Sequence, residues 1–149
     1  MAQTNFSATA EIAAPPQLIW SVMANVKLWP EWTPSVRHVT LLTPGPLRVG
    51  SRVRLRQPGF PPARWRVTEL EVDRGFTWVS GAPGLRVVAR HRIEPLDGGC
   101  RVTLAISYDG LLGPLFAWWT RNVNYRYLAM EAGGLKARCV ANIASESEL

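Results

Sequence analysis

Acidic side chains are few in this chain, and histidine and cysteine are scarcer still. Of 149 residues, 11 are Asp or Glu, two are His and two are Cys. Cys100 and Cys139 lie far apart on different predicted elements. His38 and His91 share no ligand spacing with them, so the pattern reads as free thiols and offers no metal site. No apolar run approaches the roughly 18 residues that a bilayer-crossing helix needs, and the first ten residues lack both a basic and an apolar leader region. The expectation is a cytoplasmic protein with no integral membrane association, no metal and no cofactor.

What the chain does contain is apolar and aromatic mass. Hydrophobic residues make up 47% and charged residues 19%, and there are seven tryptophans. A chain of this length is expected to form one domain over residues 1–149 and can bury roughly 70% of its unfolded surface. Tryptophan buries much area but leaves an N–H in search of an acceptor, which suits semi-polar cavities and interfaces as well as cores. The net charge of +6 and pI near 10.1 raise the question of an anionic partner. Yet Arg52, Arg54 and Arg56 alternate with Val53 and Leu55, and Arg64 and Arg66 flank Trp65, as on the solvent face of strands. Nucleic acid is therefore not an expected partner, and a basic module for polyanions ranks last among the readings. The oligomeric state is open at this level.

The longest periodic stretch runs from Leu112 to Asn142. Pro114 sits where a first-turn proline is harmless, and Phe116, Trp119, Val123, Tyr127 and Met130 recur at helical spacing, widened by Leu128, Leu135 and Cys139. A helix from Pro114 to Ala141 would be roughly 42 Å long, enough to cross a small domain. Gly133 and Gly134 cost about 1 kcal/mol each inside it, which close packing or a hollow would justify. Ahead of it, Asn5 to Ile12 alternates with period two as a first strand, Pro15 and Pro16 open a helix to Asn25, and a second short helical turn covers Val26 to Trp32. Six further strands follow, near Val36–Leu42, Gly50–Gln57, Arg64–Val72, Phe76–Gly81, Leu85–Glu94 and Cys100–Gly110. Pro-Gly and Asp-Gly turn signals separate them. Residues 144–149 read as a frayed polar tail. Strand, helix pair, six strands and long helix give an α+β architecture: a seven-stranded curved antiparallel sheet with one face wrapped on the C-terminal helix.

Beyond these patterns stand the helix start Pro16-Gln17-Leu18-Ile19-Trp20 and the Trp29-Pro30-Glu31-Trp32 turn, with Val49-Gly50-Ser51, Trp65-Arg66-Val67, His91-Arg92-Ile93-Glu94 and Gly134-Leu135-Lys136 further on. In these the chain resembles the START-like helix-grip superfamily, and within it the polyketide cyclase/dehydrase-like (SRPBCC) branch. The resemblance spans nearly the whole chain. It implies the helix-grip fold and a cavity between concave sheet and long helix, closed at one end by the short helices, in which small apolar ligands bind. Members include lipid carriers, receptors and cyclases, and no catalytic motif is shared among them, so no catalytic residue carries over by position.

On the assigned phases, Trp65, Phe76, Trp78, Tyr108, Phe116, Trp119, Tyr127 and Met130 face the space between sheet and helix. They are candidates for a ligand-binding lining, with plain core as the alternative. His91 is the polar exception on an apolar strand face. It could orient a ligand carbonyl or act as acid or base, or else be a core histidine satisfied by Tyr108 or a backbone carbonyl. Glu69 shares a predicted face with Trp65 and Val67, where an inward carboxylate would need a partner. Trp29 and Trp32 would gate the entrance or staple their turn. Asn122 and Asn124 could offer amides, although helical asparagine more commonly faces water.

The first functional reading is therefore the binding of a small hydrophobic molecule, such as a lipid, aromatic or polyketide-like compound. The alternative is a cyclase or dehydratase acting on a carbonyl compound, with His91 and either Tyr108 or Glu69 moving the proton.

Overall fold

The computed structural model describes residues 4–147. Its elements are β1 (Thr4–Ile12), α1 (Pro16–Ala24), a 3-10 helix (Val26–Glu31), β2 (His38–Leu41), β3 (Arg52–Arg56), β4 (Ala63–Glu71), β5 (Gly75–Ala82), β6 (Leu85–Leu96), β7 (Gly99–Asp109) and α2 (Gly113–Ser147). The seven strands form one antiparallel sheet in the order β1-β7-β6-β5-β4-β3-β2. Every expected strand is present, and the helix pair and long helix stand where the periodicity puts them. α2 continues through Ser147, so residues 144–147 of the expected tail are helical, while 148 and 149 lie outside the described residues.

The strands follow their alternation. Along β3, Val53 and Leu55 are buried while Arg52, Arg54 and Arg56 are exposed. Val102 and Leu104 of β7 and Ile93 of β6 are buried on the same concave face. Each such side chain, fully buried, contributes about 1.5–3 kcal/mol relative to exposure. β4 is the exception. Its register against β5 shifts between Val67 and Glu69, so that Thr68 is an extra residue and the inward phase passes to Leu70.

α2 lies across β1 and β7, with α1 and the 3-10 helix packed beside its C-terminal half. Arg138 donates to Glu31 at 2.8 Å there. The helix and the 3-10 turn approach so closely that a Cβ on Gly134 would stand 2.0 Å from the Trp32 carbonyl oxygen. Only a glycine fits at that contact, whereas a Cβ on Gly133 would meet nothing within 4 Å.

The buried face of α2 is rotated by about one residue from the stripe expected by hydrophobicity. Its centre runs Ala117, Thr120, Asn124, Leu128, Ala132, Leu135 and Cys139, with Phe116, Val123 and Tyr127 half-buried on its flank. Trp119 is 71% exposed as a consequence. The rotation is possible because the polar residues on the inner face, Thr120 and Asn124, find partners there.

Candidate functional site

A cavity of about 800 Å³ separates the concave sheet from the first half of α2. Its inner wall is aromatic. Trp78 stands between Trp65 and Trp29, with ring centroids 5.6 and 5.3 Å away. Trp29 is anchored by its indole N–H, which donates to the Met23 carbonyl at 3.0 Å. The sheet adds Leu55, Val87, Ala89, Leu104 and Ile106, and α2 adds Phe116, Val123, Tyr127 and Leu128. A smaller cavity of about 390 Å³ lies between α1 and the β2–β3 loop. Its one ionisable residue, Lys27, is exposed, so the larger cavity holds the chemistry.

The lining also carries Gln57, Arg64, Ser80 and Arg90, and three further polar groups are organised within it. His91 stacks on Phe76 with centroids 4.2 Å apart and planes 12° apart, and its Nδ1 lies 3.2 Å from the Phe76 carbonyl oxygen. A carbonyl only accepts, so the neutral ring carries its proton on Nδ1 and its lone pair on Nε2. Burial holds its pKa down to about 4, partly offset by that backbone hydrogen bond. His91 is thus a neutral imidazole at physiological pH.

The second group is a relay on α2. The Tyr108 hydroxyl donates to Asn124 Oδ1 at 3.1 Å, Asn124 Nδ2 donates to Thr120 Oγ1 at 3.1 Å, and Thr120 donates to the Phe116 carbonyl at 2.6 Å. All three side chains border the cavity, and the relay fixes where the Tyr108 phenol points.

The third is Glu131, one helical turn beyond Tyr127. Its Oε1 accepts from Ser35 Oγ at 3.2 Å, and Ser35 is held in turn by Thr33, 2.8 Å between hydroxyls. Burial pushes the Glu131 carboxyl up to about 7, against the smaller opposing effect of the Ser35 hydrogen bond. The cavity therefore contains a carboxyl that is half-protonated near neutrality.

Proline-rich residues 57–62, between β3 and β4, cover the opening. The Tyr127 hydroxyl donates to the Pro58 carbonyl, and Phe60 packs edge-on against the Tyr127 ring at 6.1 Å.

Of the residues singled out from the sequence, Trp65, Trp78, His91, Tyr108, Phe116, Trp119 and Tyr127 border this cavity. Phe76 is buried behind His91 rather than on the lining. Met130 is half-buried outside it, because the helix is rotated. Trp119 reaches the cavity only at its rim. Glu69 is exposed and away from the cavity, because the β4 bulge reverses its side after Val67. Trp29 is buried in the inner wall and so is not at an entrance, and Trp32 packs on Gly134 outside the lining. Asn122 is exposed, whereas Asn124 is only 6% exposed. Glu131, Thr120, Ser35 and the 57–62 loop were not singled out. Glu131 lies seven residues after Asn124 and four before Leu135, on the buried stripe, and that spacing was the available signal. Both cysteines are buried and free, with Cys139 pushed up to about 11 by burial. Among the described residues no helix is long and apolar enough to cross a membrane.

An antiparallel sheet gripping a long C-terminal helix around an aromatic cavity is the architecture of the START-like superfamily. The chain belongs to the family described as polyketide cyclase / dehydrase and lipid transport, whose sequence profile matches residues 3–140. Among solved structures, the Zhui aromatase/cyclase from Streptomyces sp. R1128 superposes with a TM-score of 0.78 at 17% identity, covering 95% of this chain and 96% of that one. A START superfamily protein from Mycobacterium smegmatis gives 0.70 at 19% identity, covering 92% and 97%. Norcoclaurine synthase from Thalictrum flavum, solved with dopamine and hydroxybenzaldehyde, gives 0.73 at 16%, covering 94% and 88%. At these identities the likeness concerns the fold. An uncharacterised protein of Mycobacterium tuberculosis is 24% identical over 113 residues, covering 73% of this chain and 67% of its own length.

Proposed function

We propose that this protein binds a small hydrophobic molecule, of lipid, aromatic or polyketide type, in the cavity between sheet and α2. The observation that carries the reading is the cavity itself: about 800 Å³, walled by tryptophans and aliphatic side chains, with His91, Tyr108 and Glu131 held in place by hydrogen bonds. Apolar ligand surface buried there contributes roughly 25 cal/mol per Å², while His91, Tyr108 and Glu131 set orientation.

Titration with the environment-sensitive probe 1-anilinonaphthalene-8-sulfonate tests the reading. The wild type gives a saturable fluorescence increase. Ala89→Trp, which places an indole in the cavity from the middle of β6, loses that response while keeping its melting transition. A non-saturable wild-type response, or one that Ala89→Trp leaves intact, defeats the proposal.

One observation favours a second reading. A carboxyl whose pKa is near 7, on the same cavity as a neutral imidazole and an oriented phenol, is suited to moving a proton on a carbonyl compound. In that reading Glu131 takes the place expected of Glu69. Glu131→Gln would then abolish turnover of a cyclising or dehydrating substrate while keeping probe affinity. Undiminished turnover would eliminate it.

A further inference from the structure

The start of α2 carries two apolar faces. One meets the cavity. The other runs Leu111, Leu115, Trp118 and Trp119, at helical spacing, and these residues are 86%, 62%, 62% and 71% exposed. A contiguous face of this kind at a cavity rim marks a contact surface. Its position is fixed by the loops beneath it. The Leu112 amide donates to the Gly84 carbonyl at 2.9 Å, tying the β7–α2 connection to the β5–β6 turn. Gly110, at φ +93°, is needed there because a Cβ would stand 2.5 Å from that same carbonyl oxygen.

The charge around this rim is one-sided. Arg121 lies over the Trp118 ring at 4.9 Å, and Arg126 over Tyr127 at 5.8 Å. Arg64 opens β4 beside the covering loop, and Arg86 opens β6 beside the 82–84 turn; both are exposed. Residues 57–64, 80–86 and 108–121, which form the rim, contain one acidic residue, Asp109. Half of the other acids, Glu69, Glu71, Asp73, Glu94 and Asp97, sit on the strand ends and turns at the opposite end of the sheet. Four arginines from distant segments, Arg64, Arg86, Arg121 and Arg126, thus lie around this rim.

We infer that this rim docks the cavity mouth on an anionic lipid bilayer, with Leu111, Leu115, Trp118 and Trp119 entering the headgroup region and the arginines facing lipid phosphates. Leucine beside tryptophan flanked by arginine matches an interfacial environment, apolar on one side and anionic on the other. A second copy of this chain would bring two arginine rings together. The surface is distinct from the cavity lining at Leu115 and Trp118, so docking is read without any bound ligand.

Sedimentation of the full chain with phosphatidylcholine vesicles, with and without phosphatidylglycerol, at about 0.1 M salt tests it. Wild type binds the anionic vesicles at least about tenfold more strongly than the neutral ones. Leu115→Ser/Trp118→Ser weakens that binding at least about tenfold. Arg121→Glu weakens it at least about fivefold. Melting and probe binding in the cavity are unchanged in both, since these side chains are exposed. Three results overturn the inference: no preference for anionic vesicles, binding that Leu115→Ser/Trp118→Ser leaves unchanged, or a solution dimer dissociated by that variant in the absence of vesicle binding. Loss of probe binding with vesicle binding retained would instead count against the cavity reading alone.

Discussion

Ser35 and Glu131, 96 positions apart, meet across the cavity wall, hydroxyl to carboxyl at 3.2 Å. The contact only partly offsets the burial that pushes Glu131 up from 4.5 to about 7. An unfolded chain releases this proton near 4.5, so the stabilisation is full below that pH and is lost as pH rises through about 7. His91 acts in the opposite sense. Its folded pKa of about 4 lies below the ordinary 6.5, so its stabilisation is present above 6.5 and is lost as pH falls towards 4. Between 4.5 and 6.5 the two oppose each other. Glu131→Gln should therefore raise stability at pH 8 by on the order of 2 kcal/mol relative to wild type. His91→Gln should leave a stability that falls from pH 4.5 to 7. Urea unfolding across pH 4.5–8 measures both, and parallel profiles for all three proteins would refute the assignment.

The Tyr108, Asn124 and Thr120 relay runs from hydroxyl to amide to hydroxyl and ends on the Phe116 carbonyl. Tyr108→Phe leaves the Asn124 carbonyl oxygen without its donor in a buried site and should cost about 1–2 kcal/mol. Asn124→Leu should cost a similar amount. Because both remove the same bond, the double variant should be less destabilised than the sum of the singles by about 1 kcal/mol, read from a double-mutant cycle in urea. Strict additivity would mean that the bond is not made.

The β4 bulge separates two neighbours that simple alternation would place the other way round. Glu69 is exposed, so Glu69→Gln should change stability by less than about 0.5 kcal/mol and leave probe affinity unaltered. Leu70 packs against the core, so Leu70→Ala should lower stability by about 2 kcal/mol or more. The reverse ranking would place Glu69 inside.

Alternation and turn residues sufficed for the strands because each has one wet and one dry face. Val53 and Leu55 between arginines leave no second solution. Alternation fails at Glu69, where one inserted residue changes the phase and Val67-Thr68-Glu69 contains no glycine or proline to announce it. The site was less legible than the fold for a related reason. Ranking α2 by hydrophobicity selected Trp119 and Met130 and passed over Thr120 and Glu131, and it left Asn124 as an amide expected more commonly to face water. The inner face of a helix bordering a cavity is polar wherever a partner waits across the gap, and the partners, Tyr108 and Ser35, come from distant segments. His91 was legible because a lone imidazole among Val87, Ala89 and Ile93 breaks an otherwise uniform face.

The two adjacent glycines of α2 provide a contrast within a single turn. At Gly134 a methyl group would collide with the Trp32 backbone at 2.0 Å, and backbone cannot move aside as a side-chain tip can. Gly134→Ala should force α2 away from the 3-10 helix, loosen the Arg138–Glu31 pair and cost about 2–3 kcal/mol, since overpacking against rigid neighbours costs about that much. Gly133 faces open space with helical backbone, and alanine there removes unfolded-state freedom at no steric expense. Gly133→Ala should stabilise the protein by about 0.5–1 kcal/mol. Thermal melts of the two single variants decide the matter: a drop for one and a rise for its neighbour is the signature of close backbone approach at Gly134, and equal shifts would remove that contact from the account of how α2 is seated.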